Sequence, residues 1–259
     1  MLIPIHQYAE ACAAMHLCAT PTLAAEVLHC SPDAASAALR DAVSDGLFRR
    51  LLLPGLGNTP VYQPTAKAAG VDAKHAPKFF RAGIDETQRW RGLLRAGLIA
   101  QDHHAHTFLT VETARAQCEI HAIPMRGYDE PLLSHTTAGL HRAHVCIAPQ
   151  AALKSRPGLI ERAILRWSAW LQDGGLELRF ATLAGRPADA LQSVLSEYQP
   201  PSSGAAQELA ALDAHIAADR TGAARIQFAS RRAELAAAAE LEPATALPWL
   251  QTTVTEVRV

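Results

Sequence analysis

The chain has 259 residues, 49% of them hydrophobic but only 5% aromatic, with a net charge of −1 and a pI near 6.9. Such a composition buries a core, which excludes a largely disordered protein, and its balance of charge excludes a globally basic nucleic-acid binder, so any polyanion-binding face has to be local. Five scattered cysteines without CxxC pairing argue against a disulfide framework, and neither a leader nor a membrane-length apolar run is present, so the expected setting is a reduced cytoplasm.

Residues 4–18 predict an apolar-rich helix with Ile5, Tyr8, Ala9, Cys12, Met15 and His16 near one face. Cys12, His16 and Cys18 do not share a face, so packing accounts for them better than a metal. Thr20-Pro21 is an N-cap with proline at the first helical position, and Leu23, Val27 and Leu28 supply a short apolar face. His29-Cys30 closes that helix and Ser31-Pro32-Asp33 opens the next. In that second helix Ala35, Ala38, Leu39, Ala42 and Val43 recur at helical spacing, and Gly46 stands where a left-handed stop is wanted. Residues 47–53 read as a strand, 54–60 as a turn-forming tip, and Val61-Tyr62-Gln63-Pro64 as the returning strand.

This order of elements resembles the winged helix-turn-helix DNA-binding domain. The likeness rests on residues 20–28 and 31–45, on Gly46-Leu47-Phe48-Arg49-Arg50, and on Val61-Tyr62-Gln63-Pro64-Thr65-Ala66-Lys67. It implies that the second helix of the motif lies in a major groove of double-stranded DNA. The outward face of that helix carries Asp33, Ser36, Ala37, Arg40, Asp41 and Ser44. Arg40 has the bidentate fork that suits guanine and Ser36 offers one weaker contact, whereas Asp33 and Asp41 oppose phosphate. Arg49 and Arg50 open the wing on opposite sides, so at most one of them meets the backbone directly, and Asn58 and Thr59 at the tip suit a minor groove. Lys67, Lys74 and Lys78 begin a basic window reaching Arg95, with seven positive residues against three negative. That window and dimerisation are the two ways to add phosphate contacts.

Residues 71–124 read as a helical basic connector. It holds a helix over 85–98 with Trp90, Leu93, Leu94, Gly97 and Leu98 inward, a polar break over 101–106, and a helix over 111–122 stopped by Ile123-Pro124. Residues 125–141 read as a connection. Beyond them strands and helices alternate: a strand over 143–148, a helix over 159–171 with Trp167 and Trp170 packed inward, a strand over 176–183, and a helix over 187–198. Pro200-Pro201-Ser202-Ser203-Gly204 marks a flexible linker near 199–204. A helix over 205–219, a strand over 224–229, a helix over 231–241 and a last strand over 252–259 follow. The expected architecture is an α+β winged helix over 1–70, followed by an α/β domain over 125–259 with a small sheet covered by helices.

Asp102-His103-His104-Ala105-His106 is the most metal-like stretch. His103, His104 and His106, with Cys118 and His121 downstream, have the donor chemistry for Zn, Ni or Cu. Their spacing fits no known ligand set, so no metal or cofactor is expected. Glu161 followed by Glu177-Leu178-Arg179 echoes the restriction-type nuclease core. The acidic residue of the preceding strand is missing and arginine replaces lysine, so no catalytic residue is assigned. Gly55-Leu56-Gly57 belongs to a wing, not to a nucleotide loop. The whole plan is also similar to the replication-relaxation proteins of plasmids and integrative elements, in which a winged helix precedes a degenerate nuclease-like domain. That likeness rests on residues 61–67, the helix start after His106, and Ile226-Gln227-Phe228-Ala229-Ser230-Arg231. The expected function is sequence-specific, dimeric DNA binding in transcriptional regulation or in plasmid or mobile-element replication or transfer, with a protein partner or effector at the C-terminal half and no membrane contact. The alternative is a non-enzymatic assembly component whose winged helix holds protein. A metal-dependent nuclease would require Glu161, Glu177 and the histidine loop to converge.

Overall fold

A computed structural model describes residues 3–123, 125, 131–136, 139–172, 175–197, 212, 213, 216, 228–233 and 250–259. The chain divides into two compact units: Met1–Glu197 with Gln251–Val259, and Tyr198–Leu250. In the second unit the described residues are helical at 212, 213, 216 and 229–233, and Arg232 grips Asp213 with Nε–Oδ1 at 2.6 Å and Nη2–Oδ2 at 3.3 Å. Ala229, expected to end a strand, is thus in a helix. The expected linker, most of the 205–219 helix and residues 224–227 lie outside the described residues.

The first unit starts with α1 (Ile5–Ala14), α2 (Pro21–Leu28) and α3 (Pro32–Ser44), followed by the antiparallel pair β1 (Phe48–Leu52) and β2 (Pro60–Pro64). The caps form where the sequence places them. Thr20 Oγ1 accepts from Leu23 N–H at 3.3 Å, and Ser31 Oγ accepts from Ala34 N–H at 3.2 Å. α2 ends at His29 in the left-handed region (φ 52°), and Gly46 takes φ 72° just beyond α3, where a side chain would be strained. Helix α1 stops at Ala14, short of the expected residue 18. The chain reverses at His16 (φ 51°) so that Ala19 can exchange hydrogen bonds with Tyr62, at 2.9 and 2.8 Å, and lie beside β2. Tyr8, Cys12, Leu23, Leu39, Ala42, Phe48 and Tyr62 are among the buried residues that form the core of this part.

Residues 71–124 are not a separate connector. They supply α4 (Glu86–Asp102), β3 (His106–Phe108) and α5 (Val111–Ile120), and β3 joins a five-stranded sheet in the order β3-β4-β5-β6-β7. β4 (Leu132–Thr136) corrects the expectation of a plain connection over 125–141; of the polar break over 101–106 the turn at 103–105 remains, with Gln101 and Asp102 in α4 and His106 in β3. The other strands are β5 (His141–Cys146), β6 (Leu176–Leu183) and β7 (Leu250–Val257). β3/β4 and β4/β5 are antiparallel and β5/β6 parallel, so the fold is mixed α+β with a curled sheet. Three further helices accompany the strands: α6 (Pro149–Leu153), absent from the sequence expectation, α7 (Pro157–Gln172) and α8 (Arg186–Glu197).

Helix α4 ties the sheet to the N-terminal helices because it is apolar on two sides. Trp90, Leu93 and Ala96 belong to the core of the N-terminal helices, while Leu94 and Leu98 pack with Leu132, Cys146, Ala181 and Val257 of the sheet. Two glycines allow the close approach. A Cβ on Gly92 would stand 3.0 Å from Cys18 Sγ and 3.1 Å from the His16 carbonyl; one on Gly97 would overlap Val257 Cγ1 and stand 2.8 Å from the Arg258 carbonyl. Among the described residues, no helix is long and apolar enough to cross a membrane.

Candidate functional sites: an outward helix face and a polar centre on the sheet

The residues expected to meet DNA fall into three groups. On α3, Arg40 is exposed and Ser36 half-buried, with exposed Asp33 and Asp41 to either side. On the hairpin, Arg50 is exposed and Arg49 half-buried, and Asn58 and Thr59 sit exposed at the tip. The lysines serve local structure first. Lys67 Nζ donates to the Asp45 carbonyl at 2.7 Å and Thr65 Oγ1 to the Gly46 carbonyl at 2.6 Å, which satisfies carbonyls beyond the end of α3. Lys74 lies in a turn held by Asp72, and Lys78 opens a 3-10 turn that buries Phe79 and Phe80 and is anchored by Gln63 Nε2 donating to the Phe79 carbonyl. The basic window is therefore not one face. Lys74, Lys78 and Arg81 are exposed, Arg89 donates to the Ala82 carbonyl at 2.9 Å, and Arg91 and Arg95 line a cavity beside the sheet.

Strand register assembles a polar centre that the sequence did not announce. Arg142 pairs with Glu177 and His144 with Arg179 across β5 and β6, and Ser134 stands opposite Arg142 on β4. Strand alternation sends all five to the face that α4 covers. Glu177, 7% exposed at its side chain, accepts from Arg142 Nε and, at 3.3 Å, from Arg179 Nη2. Arg142 Nη1 donates to the ring of His106, whose pKa is lowered by burial and then by the Arg142 charge. Ser134 Oγ and His144 Nε2 are 2.8 Å apart. Burial, with the charges of Arg179 and Arg142 behind it, pushes the pKa of His144 down to about 3, so the ring is neutral. This serine–histidine pair is not a nucleophile at work, since Ser134 is fully buried. Paired carboxylate and guanidinium groups with a neutral imidazole make a buried polar network, in which His144 Nδ1 and Arg179 Nε have no hydrogen-bond partner among the described residues.

The histidine-rich stretch does not gather into a metal site. The rings of His103 and His104 lie 3.6 Å apart at the end of α4, where His103 Nδ1 donates to the Ala100 carbonyl at 2.9 Å, while His106 turns to a guanidinium that would oppose a cation. Cys118 is buried with its pKa pushed up to about 11, and His121 stacks on Trp170 at 3.9 Å. Glu161 is exposed on α7 and takes no part in the Glu177 network. Among the described residues, no group of three or more His, Cys, Asp or Glu side chains could hold a metal ion. None of the five cysteines forms a disulfide; Cys12, Cys18, Cys118 and Cys146 are buried, and burial raises the pKa of each.

The fold is that of a mixed α+β protein in which three helices and a hairpin share one long helix with a five-stranded sheet. No family model, no curated protein and no solved structure matches the chain.

Proposed function

We propose that the N-terminal helices and hairpin are a winged helix-turn-helix that binds double-stranded DNA, with α3 in the major groove and the hairpin tip against the adjacent backbone or minor groove. The observation that carries this is the element order. Two capped helices are joined across His29-Cys30-Ser31 and followed by an antiparallel hairpin, and Ala19 pairs with the returning strand at Tyr62. Arg40 supplies the base-reading fork and Arg50 the exposed hairpin cation. The chain acts as a dimer, which doubles a small set of phosphate contacts, and serves transcriptional regulation or the replication or transfer of a plasmid or mobile element. Asp33 and Asp41 beside Arg40 favour a second reading, in which the same face holds a basic protein segment.

Selection of the purified protein on a random duplex library at two salt concentrations separates the two. Enrichment of one site, with a steep salt dependence, is expected. Arg40→Ala with Arg50→Ala should then weaken binding by about 1–3 kcal/mol for each arginine removed. Unchanged affinity in that double variant would remove α3 and the hairpin from the interface, and no retention even at low salt would favour the protein-binding alternative.

A further inference from the structure

Among the described residues the five-stranded sheet ends in β3 on one side and β7 on the other. An edge strand carries a row of unpaired peptide groups and is a template for another chain. β3 is three residues long and offers little to pair with. β7 is eight residues long, and neither lysine nor proline, two usual means of blunting an edge, occurs in it. Its stretch Gln251-Thr252-Thr253-Val254-Thr255 is uncharged and mostly β-branched, a composition that favours extended pairing.

Two glutamine side chains occupy this edge. Ala184 N–H, just beyond β6, donates to the Val257 carbonyl at 3.1 Å, so the peptide groups of Val257 face β6. By alternation those of Val254, Glu256 and Arg258 face outward. There Val254 N–H donates to Oε1 of Gln192 on α8 at 3.0 Å. Gln101, in the last turn of α4, brings its amide to the same side. In the orientation that satisfies both its atoms, Nε2 donates to the Glu256 carbonyl at 3.2 Å and Oε1 accepts from Arg258 N–H at 3.3 Å. An amide that donates to one residue and accepts from the residue two positions on makes the bonds that one residue of a parallel neighbouring strand makes. We propose that Gln101 and Gln192 form an edge cover that keeps β7 from pairing with the β7 of a second copy of this chain, and that its release opens the sheet to self-association. Two identical edges can meet about a two-fold axis, running antiparallel, and residues 250–255 bring no charge to keep them apart. Each glutamine contact is a neutral hydrogen bond, so the cover yields to a strand that makes the whole ladder. The device is separate from α3 and the hairpin and stands whether or not that face binds DNA. A dimer formed for DNA would already be present in the wild-type chain against which the variants are compared.

Hydrogen exchange of the full chain is the first test. The Val254 and Arg258 amides should be protected, and exchange of both at the rate of an unstructured peptide would overturn the proposal. In dilute protein, Gln101→Ala should speed exchange at Arg258 roughly two- to tenfold and leave Val254 as it was; no change at Arg258 would overturn it. Sedimentation velocity over a range of concentrations is the second. Gln101→Ala with Gln192→Ala should populate a species of about twice the wild-type mass, more of it as concentration rises. Val254→Lys added to that pair should restore the wild-type mass, because a charge on the edge opposes pairing. A double variant with a cooperative thermal transition and the wild-type mass throughout would overturn the proposal. So would association that survives Val254→Lys, because the contact then lies on another surface. Where the double variant fails to fold, the same mass comparison on Gln101→Ala alone decides.

Discussion

Replacing Gly97 with alanine probes the packing of α4 against β7. In an open helix interior the change favours the folded state by about 1 kcal/mol, because alanine has the higher helix propensity. Here the added Cβ overlaps Val257 Cγ1 and stands 2.8 Å from the Arg258 carbonyl. A β-branched side chain has little freedom to turn away, and the carbonyl moves only if the end of the chain moves with it. Overpacking of this kind costs roughly 1–3 kcal/mol, and with two simultaneous overlaps the upper half of that range applies, so the expected net destabilisation is about 1–2 kcal/mol. Urea denaturation followed by circular dichroism should show a lower midpoint at an unchanged slope. Gly158→Ala, early in α7 where nothing lies within 4 Å of the new Cβ, is the matched control and should be neutral or stabilising. Adding Val257→Ala relieves the side-chain overlap but not the close approach to the carbonyl, so the pair should couple by at least about 0.5 kcal/mol. A Gly97→Ala protein as stable as Gly158→Ala would refute close packing of β7 on α4.

His144, with its pKa pushed from 6.5 to about 3, stays neutral in the fold while the unfolded chain takes up a proton below about pH 6.5. Its contribution is therefore present above that pH and is lost as pH falls towards 3, at up to about 1.4 kcal/mol per pH unit; His144→Gln should flatten the fall in urea midpoint between about pH 7 and 5, and an unaltered slope would refute this. Glu177→Gln leaves Arg142 and Arg179 without their carboxylate and should cost about 3–5 kcal/mol. Glu177→Gln combined with Arg142→Met should cost less than the sum of the two, and strict additivity in denaturation would contradict the pairing. Thr20→Ala removes the cap of α2 and should cost about 1 kcal/mol by the same assay.

What the sequence disclosed was what local chemistry decides. Thr20-Pro21 and Ser31-Pro32 announce helix starts within a few residues, and Gly46 announces a stop because only its own backbone is at issue. The strand over 176–183 was legible through its period, and the helix that follows through the proline at position 187. β3 and β4 were not: His106-Thr107-Phe108 is too short to show a period, and Ser134 and His135 look like loop residues until β5 pairs with them. The polar centre depends on register. Arg142 meets Glu177 only because β5 lies parallel to β6, and no spacing along the chain encodes that. Arg91 and Arg95 fall within the basic window in the sequence, and only the packing of α4 against the sheet decides that they line a cavity there, apart from exposed Lys74, Lys78 and Arg81.

Because β7 follows β6 only after α8 and the long segment that begins at residue 198, the order of synthesis leaves its mark on folding. The helices of the N-terminal core can close as soon as α4 has emerged. Leu94 and Leu98 must wait for Val257, which at roughly 5–20 residues per second emerges about 8–30 seconds after Leu98. Until then β6 presents an unpaired edge beside an apolar helix face, the kind of surface that invites another nascent chain. A message truncated within 198–250 would thus yield a product whose N-terminal core is complete and whose sheet is still adhesive.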